Sequence, residues 1–258
     1  MPDFLAKLID DARRRVRDGY YDLKEESFHK PISLKRAIKS AERNAIIAEI
    51  KPASPTLGPL RPEIDPIRAA KRMLDGGAIA LSVLTEPDNF AGSLENLRKV
   101  RDHISLPLLM KDIIIHEKQV EAARKTGADS ILLIEPVFSK YPISSLARMI
   151  RFAHESHLEV LLEVHREDEF RRALNSEADM LSLNNRDLST LETNLETTIR
   201  LMAEAPGPTE KVLISESGFE SAEDIRRVKP ARVDGFLIGS SIMLADDLER
   251  KVREFVLA

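Results

Sequence analysis

The sequence predicts an α/β fold of the (β/α)8 barrel type with an N-terminal helical extension, and three observations predict it. From residue 45 onward, short apolar runs alternate with longer stretches of helical periodicity, eight times over. The runs are rich in Ile, Leu and Val with little polar alternation, as strands buried on both faces of a parallel sheet require. Right-handed crossovers add strands until the sheet closes, and eight units in roughly 210 residues fit a barrel that typically takes about 250. An open doubly wound sheet is the competing architecture. It would normally show a switch point and often a GxGxxG turn, and neither is found.

Residues 1–44 hold two helical patterns, about 3–17 and 33–42, joined by a polar stretch around Asp22 to Ser27. They are expected to pack across the barrel, which takes up 45–258 of a single 258-residue domain. Strands are expected at 45–50, 79–84, 107–110, 130–134, 159–163, 180–183, 211–215 and 234–238. Helices are expected near 65–75, 93–102, 116–126, 142–156, 167–174, 192–203, 221–228 and 241–255, with Ser93, Ser221 and Ser241 as N-caps. No linker separates two domains. The Pro-rich run from Pro52 to Pro62 is a loop inside the first βα unit, long enough for a binding loop and equally compatible with a plain solvated connector.

Composition narrows the function. The chain has no cysteine, which excludes disulfides, thiol nucleophiles and cysteine metal sites. No segment approaches the roughly 20 apolar residues of a membrane span. The start, Met1 to Asp10, has apolar residues at helical spacing and carries acids, unlike a secretory signal, so a cytoplasmic protein is expected. A net charge of −4, from 39 basic and 43 acidic residues, gives no overall footprint for nucleic acid. The cluster Arg13, Arg14, Arg15 and Arg17 is expected to be a solvated helix face. The six histidines form no metal-binding spacing, so no metal is expected; His154 and His157 are placed on the surface and His165 in a loop.

Several strands end in charge. Ile46 to Ile50 delivers Glu49 and Lys51, Leu108 to Met110 leads into Lys111, and Val160 to Leu162 leads into Glu163. Barrel active sites form at the C-terminal ends of the strands, a rule that gathers Glu49, Lys51, Lys111, Glu163, Asn184, Glu216 and Gly239 into one ring. Opposite charges hold one another ionised while burial pushes the other way, so the ring suits acid–base chemistry. A structural ion-pair network is the alternative. The turns Ser215-Glu216-Ser217-Gly218 and Ile238-Gly239-Ser240-Ser241 follow the last two strands, where barrels often bind phosphate through backbone N–H groups. Ser217 and Ser240 add hydroxyls. Ser54 lacks a paired histidine and reads as a hydrogen-bond donor rather than a nucleophile.

These residues resemble indole-3-glycerol phosphate synthase. The resemblance is carried by Glu49-Ile50-Lys51-Pro52-Ala53-Ser54-Pro55, by Leu81 to Glu86 followed by Phe90-Ala91-Gly92-Ser93, and by Leu109-Met110-Lys111-Asp112. It continues through Glu163-Val164, Asn184 to Leu188, Ser215 to Gly218 and Phe236 to Ser241. It implies ring closure, decarboxylation and dehydration of 1-(2-carboxyphenylamino)-1-deoxyribulose 5-phosphate, with no metal or organic cofactor. It implies Lys111 as general acid and Glu163 as general base, with Lys51 either holding the anthranilate carboxylate or sharing the acid role. Glu49 and Glu216 would keep the lysines charged, and Asn184 and Arg186 would add hydrogen bonds. Ser54, Gly218, Gly239 and Ser240 would hold the phosphate, and Phe90 would wall the aromatic ring. Other tryptophan-pathway enzymes are the partners it suggests, with no nucleic acid or membrane. Ile113, where the family often has Phe, and Glu135-Pro136 depart from the pattern. A related isomerase barrel and a non-catalytic phosphosugar-binding barrel remain as alternatives.

Overall fold

The computed structural model describes residues 4–24, 29–204 and 209–258. Residue 3 of the first expected helix and Glu25 to Ser27 of the polar stretch lie outside them. Among the described residues ten strands form: β1 (Ala45–Ile50), β2 (Ala53–Ser54), β3 (Gly58–Pro59), β4 (Ala80–Leu84), β5 (Leu108–Lys111), β6 (Ser130–Ile134), β7 (Glu159–Val164), β8 (Met180–Asn184), β9 (Val212–Glu216) and β10 (Gly235–Ile238). β2 and β3 make a small antiparallel hairpin inside the Pro-rich loop. The other eight are parallel and close into a barrel, with β1 pairing β10 on one side (Ala48 opposite Ile238) and β4 on the other (Ile50 opposite Val83).

Strand alternation divides the core in two. Ile47, Ala80, Leu109, Leu132, Leu161, Met180, Ile214 and Leu237 pack in one buried cluster, whereas Ile46, Leu81, Leu108, Leu133, Leu162 and Phe236 belong to a second with apolar residues of the surrounding helices. Continuing the first parity towards the strand ends gives Glu49, Lys111, Glu163, Asn184 and Glu216. The charged ring is therefore the top layer of the barrel interior.

Most expected helices form, and the departures have local causes. Ser93 caps Leu94–Arg101 by accepting from Asn96 N at 3.0 Å, and Ser221 N–H donates to Asp224 Oδ2 at 2.8 Å in the first turn of Ala222–Val228. Ser241 is not a cap. It lies inside Ser240–Leu244, its hydroxyl donates to Phe219 O at 2.6 Å, and the expected last helix resumes at Leu248–Val256 with Asp247 as its cap. The 192–203 pattern begins as an isolated bridge between Arg186 and Thr193 and becomes helical only at Glu196–Ala203. Glu135-Pro136 opens an additional helix, Glu135–Lys140, ahead of Leu146–Glu155. Proline presets the first turn, and the buried Glu135 accepts two bonds from Arg172, at 2.6 and 3.1 Å.

The N-terminal extension covers both ends of the barrel. Near the strand starts, Leu34 and Ile38 of Leu34–Lys39 pack in the cluster of Ala45, Met180 and Val212, and Ile32 N donates to Asp129 Oδ1 at 2.8 Å. At the opposite end lies Phe4–Arg17, and here the solvated arginine face is corrected. Arg15 is 5% exposed, bonded to Glu86 at 2.7 Å and Asp88 at 2.6 Å, and 3.6 Å from Asp112. Tyr21 joins this clasp, accepting from Arg15 Nε at 3.2 Å and donating to Asp112 Oδ2 at 3.1 Å. Its neighbours in sequence, Arg14 and Arg17, remain well exposed.

Candidate active site

Every residue in the sequence-based site borders one cavity of about 600 Å³ at the C-terminal mouth of the barrel. Lys111 Nζ, at the end of β5, sits 3.2 Å from both carboxylate oxygens of Glu216 and 3.4 Å from Glu49 Oε1. Lys51 Nζ pairs with Glu49 Oε2 at 2.9 Å. Ser182, one inward step below Asn184 on β8, donates to Glu216 Oε2 at 2.7 Å. Two lysines and two carboxylates thus alternate along one side of the mouth.

Electrostatics sets Glu163 apart from its neighbours. Burial alone would raise the Glu49 pKa, but Lys51 and Lys111 more than reverse this and hold the carboxyl down at about 2. Burial likewise opposes the Lys111 ammonium, and Glu216, Glu49 and Glu163 overcome it, pushing the pKa above the ordinary lysine value. Glu163 has no such close cation among the described residues. Burial first, and Glu216 second, push its carboxyl up to about 8 against the pull of Lys111 and Asn184. The mouth therefore holds a lysine that its carboxylate neighbours keep charged in the free site, beside a carboxyl pushed up to about 8.

Two asparagines brace this arrangement. Asn184 Nδ2 donates to Glu163 Oε1 at 2.7 Å, and its amide oxygen accepts from Arg186 N at 2.9 Å, which fixes the amide orientation. Asn185 faces the neighbouring turn, donating to Ser215 Oγ at 3.1 Å and Ser217 O at 3.0 Å. That turn is tight: Ser217 (φ 70°) and Gly218 (φ 86°) both have left-handed backbone. Arg186 reaches Leu191 O at 2.8 Å and Thr56 Oγ1 at 3.4 Å, and Thr56 lies 3.1 Å from Ser54 Oγ, so the Pro-rich loop is tied to the end of β8.

Gly239 is needed for space rather than for φ. A Cβ there would overlap Glu49 Oε2, and Glu49 is held on both oxygens by lysines. Gly239→Ala is expected to lower kcat/KM by about 10²-fold through displacement of that pair. It is also expected to destabilise the protein by roughly 1–3 kcal/mol through overpacking. Steady-state kinetics and thermal melts check both.

Sequence reasoning missed two parts of this wall, and a third, Ile113, it marked only as a departure. Phe4 and Leu8, one helical turn apart on Phe4–Arg17, border the cavity, and the apolar stripe of that helix was the available signal. Glu86 positions Phe90: its carboxylate accepts from the backbone N–H groups of Asp88, Asn89 and Phe90 at 3.2, 2.7 and 3.0 Å, capping the short helix Pro87–Phe90. Ile113 is buried on the same wall and supplies apolar surface there.

A closed parallel barrel with lysines and carboxylates gathered inside its C-terminal mouth has the architecture of the barrel enzymes, whose sites form at that end. The family model described as indole-3-glycerol phosphate synthase matches residues 6–255. The indole-3-glycerol phosphate synthase of Roseiflexus sp. (strain RS-1) is 38% identical over 96% of this chain and 94% of its own. That of Aquifex aeolicus (strain VF5) is 41% identical over 99% and 92%. Thiamine phosphate pyrophosphorylase from Pyrococcus furiosus shares the fold at a TM-score of 0.61 and 16% identity, covering 86% of this chain and 96% of that one. The chain belongs to the indole-3-glycerol phosphate synthase family. It is a carboxy-lyase of tryptophan biosynthesis that forms the indole ring by decarboxylating ring closure. Among the described residues, no helix is long and apolar enough to cross a membrane.

Proposed function

We propose that the ring at the barrel mouth carries out this reaction by lysine–glutamate acid–base catalysis. The observation that carries the reading is Lys111 between Glu216 and Glu49, with Glu163 as a carboxyl of displaced pKa in the same cavity. Lys111 protonates the substrate carbonyl as the ring closes, and its charge stabilises the oxyanion that develops there. Glu163, aimed by Asn184, takes up a proton in the later dehydration. Lys51 binds the anthranilate carboxylate or shares the acid role. Ser54, Ser217, Gly218, Gly239 and Ser240 hold the phosphate, while Phe90 and Ile113 flank the aromatic ring and Arg186 steadies the loop above it. Fixing the phosphate and the carboxylate bends a flexible substrate, so that ring closure becomes a positioned intramolecular step.

One domain, 1–258, carries the whole site, because its N-terminal helix contributes Phe4 and Leu8 to the cavity wall. The working context is the cytoplasm, beside other enzymes of the tryptophan pathway. Supplying 1-(2-carboxyphenylamino)-1-deoxyribulose 5-phosphate and following indole fluorescence tests the reading. Product is expected without added metal or organic cofactor, and its absence from folded protein would overturn the assignment.

A further inference from the structure

Glu163 borders two cavities. Besides the substrate cavity, a second of about 290 Å³ opens on its other side, and Ile134, Glu163 and Leu188 form the partition. His165, Arg166, Lys140 and Asp187 line this second space. Glu163 on β7 and His165 just beyond its end both line this second cavity, and Asn184 joins them: its Nδ2 donates to Glu163 Oε1 at 2.7 Å and its backbone carbonyl accepts from His165 Nδ1 at 2.7 Å, while the cavity between them has room for bridging water.

The geometry of His165 suits proton transfer. Its Nδ1 lies 2.7 Å from the carbonyl oxygen of Asn184, which only accepts, so Nδ1 carries the hydrogen and Nε2 is the exchangeable position. Nε2 is 3.7 Å from Asp187 Oδ2. Ser189 N donates to Asp187 Oδ1 at 2.7 Å, and Arg166 Nη2 stands 3.7 Å from Oδ2. Burial would raise the Asp187 pKa, but Ser189, His165 and Arg166 bring it below the ordinary carboxylate value, so Asp187 stays anionic beside the imidazole. The remaining charges around His165 are Glu169, which accepts its backbone N–H at 2.9 Å, and Lys140, paired with Glu169 at 3.0 Å.

The reaction draws a proton from bulk water on each turnover if the acid–base roles above hold. The substrate carboxylate leaves as neutral carbon dioxide and the phosphate is unchanged, so each turnover consumes one proton from water. The lysines give up two protons, one to the carbonyl oxygen and one to the departing hydroxyl that leaves as water. Glu163 recovers one from the substrate and returns it to a lysine amine; the second comes from solvent. We propose that the second cavity is the proton inlet of the site, with His165 relaying protons from bulk water to Glu163 and Asp187 holding the imidazole in place.

His165→Ala and His165→Gln test it, assayed for indole formation beside wild type and Glu163→Gln. Glutamine keeps a donor for the Asn184 carbonyl but does not relay a proton. Both His165 variants are expected to lose roughly ten- to a hundred-fold in kcat, with KM within about twofold of wild type and a larger solvent deuterium isotope effect. Added imidazole is expected to restore His165→Ala. Wild-type kcat in both variants, a loss in the alanine variant alone, or a loss that imidazole does not relieve would each overturn the inlet. An inactive Glu163→Gln beside fully active His165 variants would overturn the inlet and leave the acid–base roles standing. Full turnover by Glu163→Gln would overturn both.

Discussion

Alanine at Lys111 is expected to lower kcat by about 10²–10⁴-fold, the range that a positioned general acid contributes. The effect should fall on kcat more than on KM, because the ammonium acts on charge that develops only as the ring closes. A second consequence follows from its neighbours. Removing Lys111 takes the nearest cation from Glu216 and one of two from Glu49, in a layer that also holds Glu163. The carboxylates then repel one another, and the Glu163 pKa rises beyond its present value of about 8, since Lys111 is the charge that lowers it. The variant should therefore lose thermal stability most at alkaline pH. Single-turnover fluorescence and melts across pH read both effects. Turnover at the wild-type rate would strip Lys111 of the acid role and leave Lys51 as the candidate.

Glu163→Gln is expected to cost a similar 10²–10⁴-fold and, in addition, to change the shape of the pH profile. In the free enzyme the carboxyl titrates at about 8, so the base form is the minority species at neutral pH. Wild-type kcat/KM should accordingly climb with pH and level off above about 8, and the variant should lack that climb. Stability runs the other way. The folded value of about 8 lies above the ordinary glutamate value of 4.5, so the protonated carboxyl stabilises the fold fully below 4.5, and this contribution is lost as pH rises through 8. Glutamine does not ionise, so chemical denaturation at pH 5 and pH 9 should differ less in the variant than in the wild type.

The eight barrel strands were legible because burial on both faces leaves a continuous apolar run, and the ring was legible because charges at the ends of such runs stand out. What escaped depends on partners far away in sequence. Arg15 looks like any residue of a basic helix face until Glu86 and Asp112 fold against it, 71 and 97 positions later. Glu135-Pro136 has no meaning until Arg172 arrives to pair with the carboxylate. Glu86 likewise shows its purpose only when three backbone N–H groups turn towards it. Ser241 misled because it follows a Gly-Ser pair as a cap would, while its hydroxyl was needed at Phe219 instead. Local periodicity locates elements; it does not report which buried charge will be met by which other.

The extension that covers both ends of the barrel also bears on the order of assembly. Lys35 N is fastened to Glu159 across 124 positions, and Asn44 reaches the backbone of Phe255 across 211, while β1 completes its pairing only with β10. The upstream forty residues thus have no settled place until the middle of the chain exists, and the barrel has no seam to close until its last strand does. Long-range contacts of this kind delay folding, because loop closure costs entropy before any pairing repays it. Phe4 and Leu8 join the cavity wall only when that late docking is complete. A chain stopped short of β10 would lack a usable site even with Lys51, Lys111, Glu163 and Glu216 all present in its sequence.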